Sequence, residues 1–579
     1  MDREPDVGTL ADAIYDVVMA ANPVEASLYG DHRFARELPD ISPDGVAALR
    51  SALARLRADH ERLDITAMSA ADRVTADVAG HVLEQLRHEA DAAYLQFAAG
   101  PMPSGATIGS AASTLLAALP KQSLTSTELA AAYRERCRAI PAHLRAAEQH
   151  LRDGVVANRV PAARLVAATA RQLARYLALP ADEDPLLLAG PDAQPRATGP
   201  ADDAGAARHR AELAAIVAGE VRPAIARHRE VLTGEIAPHG RSDEHVGLCW
   251  LPDGDRIYRE AAALHTTTST SPEELHQLGH DLIGQLADEY RRLGAGALGT
   301  GDLEEIFDRL RGDPALRFAG AGDIRDRAVA ALARAQDAVG TWVATPPSIP
   351  CVVREIPAVE APESTLAYYQ PPALDGSRGG QYFVNTSDAT SRSRFEAEAL
   401  AFHESVPGHH TQIARAQELD LPRLQRAFYV TAFVEGWGLY AERLADEMGL
   451  YTDDLSRLGM LSFDSWRACR LVVDTGMHAL GWSRARAEEF MRANSPQAHG
   501  NIANEIDRYI TWPGQALAYM AGRTHIVALR GRAERLLGAR FDVAAFHDAV
   551  LGHAAVPLWT LDRLVDEWIA GVRGSSAAP

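Results

Sequence analysis

The chain has 579 residues, 47% hydrophobic and 23% charged, with a formal net charge of −20. That is an ordinary globular composition, long enough for three or four domains at about 150 residues each. Its acidity excludes nucleic acid and anionic membrane as main partners, since both select basic surfaces. Cys137, Cys249, Cys351 and Cys469 are scattered, without the paired spacing of a disulfide framework or a cysteine zinc site. No apolar run of about 18 residues and no signal-type apolar segment occurs. A cytoplasmic protein that does not enter membranes is therefore expected; self-association into a homo-oligomer is compatible with this composition.

Taken in order, residues 7–22 and 44–99 carry apolar positions at three- and four-residue spacing, which predicts amphipathic helices. Pro101, Pro103, Gly105 and Gly109 interrupt the pattern before it resumes over 126–178. Between 181 and 205 the composition shifts to Pro, Gly, Asp and Ala, which predicts a loop or linker. A further helix is expected over 206–233. These segments make an N-terminal helical region, 1–245. A middle helical region, 246–345, includes a Pro252-Asp253-Gly254 turn. It also holds Ser271-Pro272-Glu273-Glu274, which has the N-cap, the N1 proline and the acidic first turn of a helix start.

Residues 346–390 read differently. Segments 349–353, 366–370 and 381–386 are rich in β-branched and aromatic residues between Pro and Gly clusters, predicting short strands. From 391 to 579 the pattern is helical again, and this last region is expected to form one unit with 246–390. The fold class expected is mainly α, with a small β-sheet next to the helix that carries the next motif. An edge strand there would offer an extended substrate a pairing surface, with Tyr382 and Asn385 as candidate substrate contacts.

The motif is His403-Glu404-Ser405-Val406-Pro407-Gly408-His409-His410. A helical His-Glu followed by a second His presents imidazoles to a zinc ion and a carboxylate to its water. The usual spacing is four residues, one turn apart on one face. Here His409 is six residues on, about 120° around the helix, and His410 is seven on, about 10 Å along it. Neither shares an ion with His403 on a regular helix. Pro407 clashes with the carbonyl of residue 403 and donates no hydrogen bond, so a break at Pro407-Gly408 is expected to shorten the gap. The competing interpretation is a kinked helix with surface histidines.

Downstream, Glu435 sits among apolar neighbours beside Gly436, where another backbone can approach, and is the candidate third ligand. Glu442, seven residues on, shares its face and could orient a ligand; both could equally be solvated carboxylates. Arg508, Tyr509, Gln515 and Tyr519 surround a Pro513-Gly514 break. A tyrosine hydroxyl or guanidinium could stabilise an oxyanion, or an arginine could grip a carboxylate; aromatic core positions are the plain alternative. His478 is either a supporting residue or a core histidine.

These stretches, with Val434-Glu435-Gly436-Trp437-Gly438 and Gly514-Gln515-Ala516-Leu517-Ala518-Tyr519, resemble the DUF885 family of predicted zinc-dependent proteins. The resemblance covers most of the chain. It implies a two-lobed, zincin-like helical architecture around a deep channel, related by analogy to gluzincin metallopeptidases. It also implies Zn2+ held by His403, one of His409 or His410, and Glu435, with Glu404 as general base. His409 is favoured, because a bulge need absorb two extra residues to place it and three to place His410. Tyr519, Tyr509 and Arg508 would act on the oxyanion or substrate terminus, and Gln515 would touch substrate. The expected function is zinc-dependent hydrolysis of a peptide or amide bond in a small substrate. The alternatives are a zinc enzyme tailoring an amide-like bond in a natural product, or a catalytically silent scaffold that binds a ligand or partner.

Overall fold

Apolar residues recurring every three or four positions fold most of the chain into helices. The computed structural model describes residues 6–102, 108–188, 203–357, 361, 365–373 and 378–574. Of the loop expected at 181–205, residues 189–202 lie outside the described residues, as do Pro103 and Gly105. The helix expected at 206–233 is Asp203–Ile216, continued through a wide π-type turn, Val217–Val221, into Arg222–Val231.

Most of the first 245 residues divide between two cores, while Ala162 and Leu165 join a third with Met477 and Trp482. The helices Val7–Ala21 and Ala70–Ala92 bury Ile14, Val78 and Val82 in the main core, which continues through Tyr258, Phe402, Trp437 and Val565. Cys137, Leu144, Leu173 and Leu232 instead close a second core. The start of the chain thus packs with its C-terminal half.

Ser271 begins the Pro272–Ala297 helix with a reciprocal cap. Its hydroxyl accepts the Glu274 N–H at 3.2 Å, and the Glu274 carboxylate accepts the Ser271 N–H at 2.8 Å. This helix lies along Asp454–His478, in which every residue from Leu458 to His478 except Trp466 is buried. A helix wrapped on all faces must also bury its polar residues, among them Asp464, Arg467, Arg470 and Asp474.

Three strands stand close to where the β-branched segments predict them: β1 Cys351–Glu355, β2 Ala367–Gln370 and β3 Gly380–Val384. β3 is central, parallel to β1 and antiparallel to β2, with Tyr382 opposite both Val353 and Tyr369. β2 packs on the Ala397–Glu404 helix, so the sheet does lie beside the His-Glu segment. On the far side of that segment, Thr431–Glu447 crosses Ala518–Leu537 with the two backbones touching. A Cβ on Gly522 would fall 1.8 Å from the Ala432 carbonyl oxygen, and one on Gly436 would fall 2.6 Å from the Gly522 Cα. Among the described residues no helix is long and apolar enough to cross a membrane.

Asp474 ties the distant parts together. Its buried carboxylate accepts the Tyr258 hydroxyl at 2.6 Å and the Gly514 N–H at 3.1 Å. Burial pushes its pKa up to about 7 against those two donors, from an ordinary value of 3.8. Between these two values the folded chain holds a proton that the unfolded chain releases. The stability contributed by this group is therefore full at low pH and is lost as pH rises through about 7. Asp474→Asn keeps an acceptor and cannot ionise, so a plot of melting temperature against pH from 4.5 to 8 should fall less steeply for the variant than for the parent chain.

Candidate metal centre

The helix stops where Pro407 and Gly408 require it to stop. Ala397–Glu404 ends at Ser405 (φ −116°, ψ −114°), the Val406–Pro407 peptide is cis, and Gly408 (φ −78°, ψ −127°) leads into a new helix, His409–Glu418. The His410 N–H donates to the Ser405 carbonyl at 3.0 Å, and the Trp437 indole N–H donates to the Pro407 carbonyl at 3.0 Å. Gly408 is pressed onto the preceding helix so tightly that a Cβ would meet the carbonyl oxygens of His403 at 2.0 Å and Phe402 at 2.4 Å. Only glycine fits there.

The break brings the His403 and His409 rings face to edge, with centroids 4.6 Å apart and planes at 79°. From the neighbouring helix, Glu435 places its Oε2 3.6 Å from the Nε2 of both. The three donor atoms lie within 4.8 Å of one another. A separation of 3.6 Å is too long for a hydrogen bond. It is close to the roughly 3.3 Å between two ligands on a tetrahedral zinc with bonds of about 2.0–2.1 Å.

Glu442, seven residues or about two turns beyond Glu435 and fully buried, pairs with the His403 Nδ1 at 2.8 Å. A neutral His403 bound in this way carries its proton on Nδ1 and turns the lone pair of Nε2 toward Glu435. In that neutral form two electron-rich atoms face each other, which a proton on the ring or a cation between them would relieve. The other Glu442 oxygen and the His409 Nδ1 are buried without a partner. Burial opposes a charge on His403, but Glu435 and Glu442 outweigh it and lift its pKa to about 10. Burial likewise opposes the Glu435 charge, yet the two imidazoles hold that carboxyl well below its usual range. The cluster calls for positive charge, and its donor set fits a divalent ion.

Glu404 follows His403 directly, and no hydrogen bond or ion pair engages its carboxylate among the described residues. Burial raises its pKa, against the charges of His403 and His409. Tyr382, 1% exposed, is near enough that Glu404 adds to the upward push burial gives its hydroxyl.

His410 is not brought to the cluster. Its Nδ1 meets the Tyr369 hydroxyl at 2.9 Å and its Nε2 meets the Ile349 carbonyl at 3.0 Å, turning the ring toward the sheet. Asn385 is also held elsewhere. Fully buried, it donates to the carbonyls of Ala361 at 2.7 Å and Thr365 at 3.0 Å and accepts the Ser387 N–H, so it shapes a loop. Arg508 donates to Gln515 at 3.0 Å and to the Tyr519 hydroxyl at 3.4 Å. The Tyr509 hydroxyl donates to Glu505 at 2.6 Å and accepts from Arg470 at 2.8 Å. His478 accepts the Leu248 N–H and donates to the Tyr509 carbonyl, as a core histidine does.

One contact escaped the sequence. Tyr429, in the non-helical run before Thr431–Glu447, donates to Glu435 Oε1 at 2.8 Å, its hydroxyl directed inward although the residue as a whole remains 42% exposed. Helical periodicity could not reveal it, because only the irregular backbone from Phe428 to Val430 aims it back at Glu435. Burial, Glu435 and Tyr519 push its pKa well above the ordinary value, so the hydroxyl keeps its proton. The fit at Gly408 gives a direct test: Gly408→Ala should cost about 1–3 kcal/mol in denaturant unfolding. It should also abolish any metal binding at His403 and His409, whereas Ala substitution at exposed Gly500 should change neither.

Two of the solved structures that share this fold are similar over nearly their whole length. One, described as a "putative lipoprotein" from Colwellia psychrerythraea, is 24% identical and aligns over 98% of this chain and 100% of its own, with a TM-score of 0.89. The other, a "putative lipoprotein of unknown function" from Shewanella oneidensis, is 18% identical over 97% of this chain and 99% of its own, with a TM-score of 0.75. At these identities the likeness establishes the fold alone. No curated protein matches the chain. The family model described as "bacterial protein of unknown function (DUF885)" matches residues 23–565. With nearly the whole chain inside that match, the protein belongs to the DUF885 family.

Proposed function

We propose that the protein is a zinc-dependent hydrolase of peptide or amide bonds. The observation that carries this reading is the convergence of His403, His409 and Glu435 on one point, with Glu442 fixing the His403 ring from behind. Two imidazoles and one carboxylate are a common ligand set of catalytic zinc sites, in which a fourth position stays open to water. A zinc ion held there would act as a Lewis acid on the substrate carbonyl and bring the pKa of its water to about 7.

The remaining chemistry falls to the chain's own side chains. Glu404 adjoins the ligands, and its raised pKa suits a carboxylate that takes the proton of the water and returns it to the leaving amine. Tyr519 accepts from Arg508 and so keeps its own proton available for the oxyanion that develops on the carbonyl. Tyr429 steadies Glu435 by donating to its Oε1. Tyr509 is already committed to Arg470 and Glu505, and serves by holding Arg470. β2 and β3 beside the Ala397–Glu404 helix supply the neighbouring wall.

Metal analysis of the purified protein tests the first step. Zinc near one equivalent is expected in the parent chain and in His410→Ala, with loss in His403→Ala and His409→Ala. A trace amount unaffected by His403→Ala ends the metalloenzyme reading. Glu442→Gln should weaken zinc affinity by about 10- to 100-fold. Glu404→Gln should keep the zinc and lower hydrolysis of a peptide and amide library by about 10²- to 10⁴-fold. Undiminished hydrolysis in that variant removes Glu404 from the role of base, and zinc without hydrolysis in the parent chain favours bond-forming chemistry or ligand binding.

A further inference from the structure

The Asp454–His478 helix buries an arginine for which the fold provides no counter-ion. Arg467 is 5% exposed, and its Nε and Nη1 are sealed from solvent without a hydrogen-bond partner. Among the described residues no carboxylate forms an ion pair with it. Its guanidinium lies over the rings of Phe463 at 4.6 Å and Trp466 at 4.4 Å. Stacking of this kind holds the plane by its faces and leaves the N–H edges free, and those edges match the two oxygens of a carboxylate.

Its surroundings increase the positive charge. One turn on, Arg470 stacks on Trp466 at 4.6 Å and on Tyr519 at 4.3 Å, donates to Tyr509 and Glu505, and has its Nη1 buried and unpartnered. Arg508 reaches the same Glu505 at 3.6 Å. Two guanidiniums thus share one carboxylate, and Arg467, stacked on the same Trp466 ring as Arg470, adds a third positive charge that has none. Among the carboxyls that feel the Arg467 charge are Glu396 and Glu404. Glu396 is occupied by Ser462 at 2.6 Å and Gln497 at 3.2 Å, and burial raises its pKa. A buried cation without a partner is costly, and folded proteins pair such groups.

The cluster also adjoins the candidate metal centre. The Ala397–Glu404 helix packs on Asp454–His478. Tyr519, bonded to Arg508 and lying against Arg470, is close enough to Tyr429 to act on its hydroxyl, which sits on Glu435. An anion at Arg467 would therefore be held on the side of the centre where Glu404 and Tyr519 stand.

We propose that Arg467 anchors a free carboxylate of the substrate, so that the site takes short peptides or N-acyl amino acids and cleaves them close to their C-terminal carboxylate. This rests on the hydrolase reading for the cleavage but not for the binding, and the test separates the two. Binding of a library of N-acetylated dipeptides, and of the same library as C-terminal amides, is measured by calorimetry on the full-length zinc-loaded protein of Glu404→Gln. The expected result is at least tenfold tighter binding of the acids. Adding Arg467→Gln should erase that preference with zinc content unchanged, and Arg467→Lys in its place should restore part of it. Equal binding of acids and amides, absence of binding by either, or a preference that survives Arg467→Gln overturns the proposal. If the preference is found and depends on Arg467 while the parent chain hydrolyses neither library, the anchor stands and the hydrolase reading falls. If the parent chain hydrolyses acids and amides equally well, the hydrolase reading stands and the anchor falls.

Discussion

The site depends on one steric constraint, the contact of Gly408 with the end of the helix before it. With no side chain at 408, the chain folds back against the carbonyls of Phe402 and His403, and the next helix begins with His409 facing His403. The Trp437 indole holds this return from the opposite side by bonding to the Pro407 carbonyl. Trp437 lies two residues from Glu435, so the element that provides the third donor also clamps the loop that positions the second.

Charge is distributed unevenly around this point. Glu435 and Glu442 lie against the imidazoles, while Arg470 and Arg508 gather around Glu505 and Tyr519 and Arg467 shares the Trp466 ring with Arg470. Both groups are buried, where interactions between charges are weakly screened. A molecule bound between them would meet an electron-rich region calling for a cation and a cationic region calling for an anion. Such a pair of opposite demands would orient a polar ligand before any specific contact is made.

Local rules made much of this visible in the amino-acid order. Pro407 and Gly408 announce the helix break, the seven-residue interval puts Glu442 on the face of Glu435, and Pro and Gly clusters delimit the three strands. These features follow from backbone sterics and helical period, which act within a few residues. What stayed hidden depends on partners far along the chain. His409 and His410 are adjacent and chemically alike, and their different surroundings come from Tyr369 and Ile349, which hold His410 against the sheet. Asn385 ends a strand as a substrate contact would, yet the carbonyls of Ala361 and Thr365 take its amide. Arg467 gave no sign because its helix is buried nearly all round, and a helix without a polar face has no periodicity to mark one arginine as different.

The touching backbones at Gly436 and Gly522 have a mechanical consequence. A slide of either helix by one residue would drive a Cβ or a carbonyl into its neighbour, so Thr431–Glu447 and Ala518–Leu537 behave as one rigid beam. Glu435 stands beside one glycine of that contact and Tyr519 three residues before the other, so the distance between them is set by backbone rather than by rotamers. Any breathing that opens the candidate metal centre must leave this beam straight and occur in the elements laid against it.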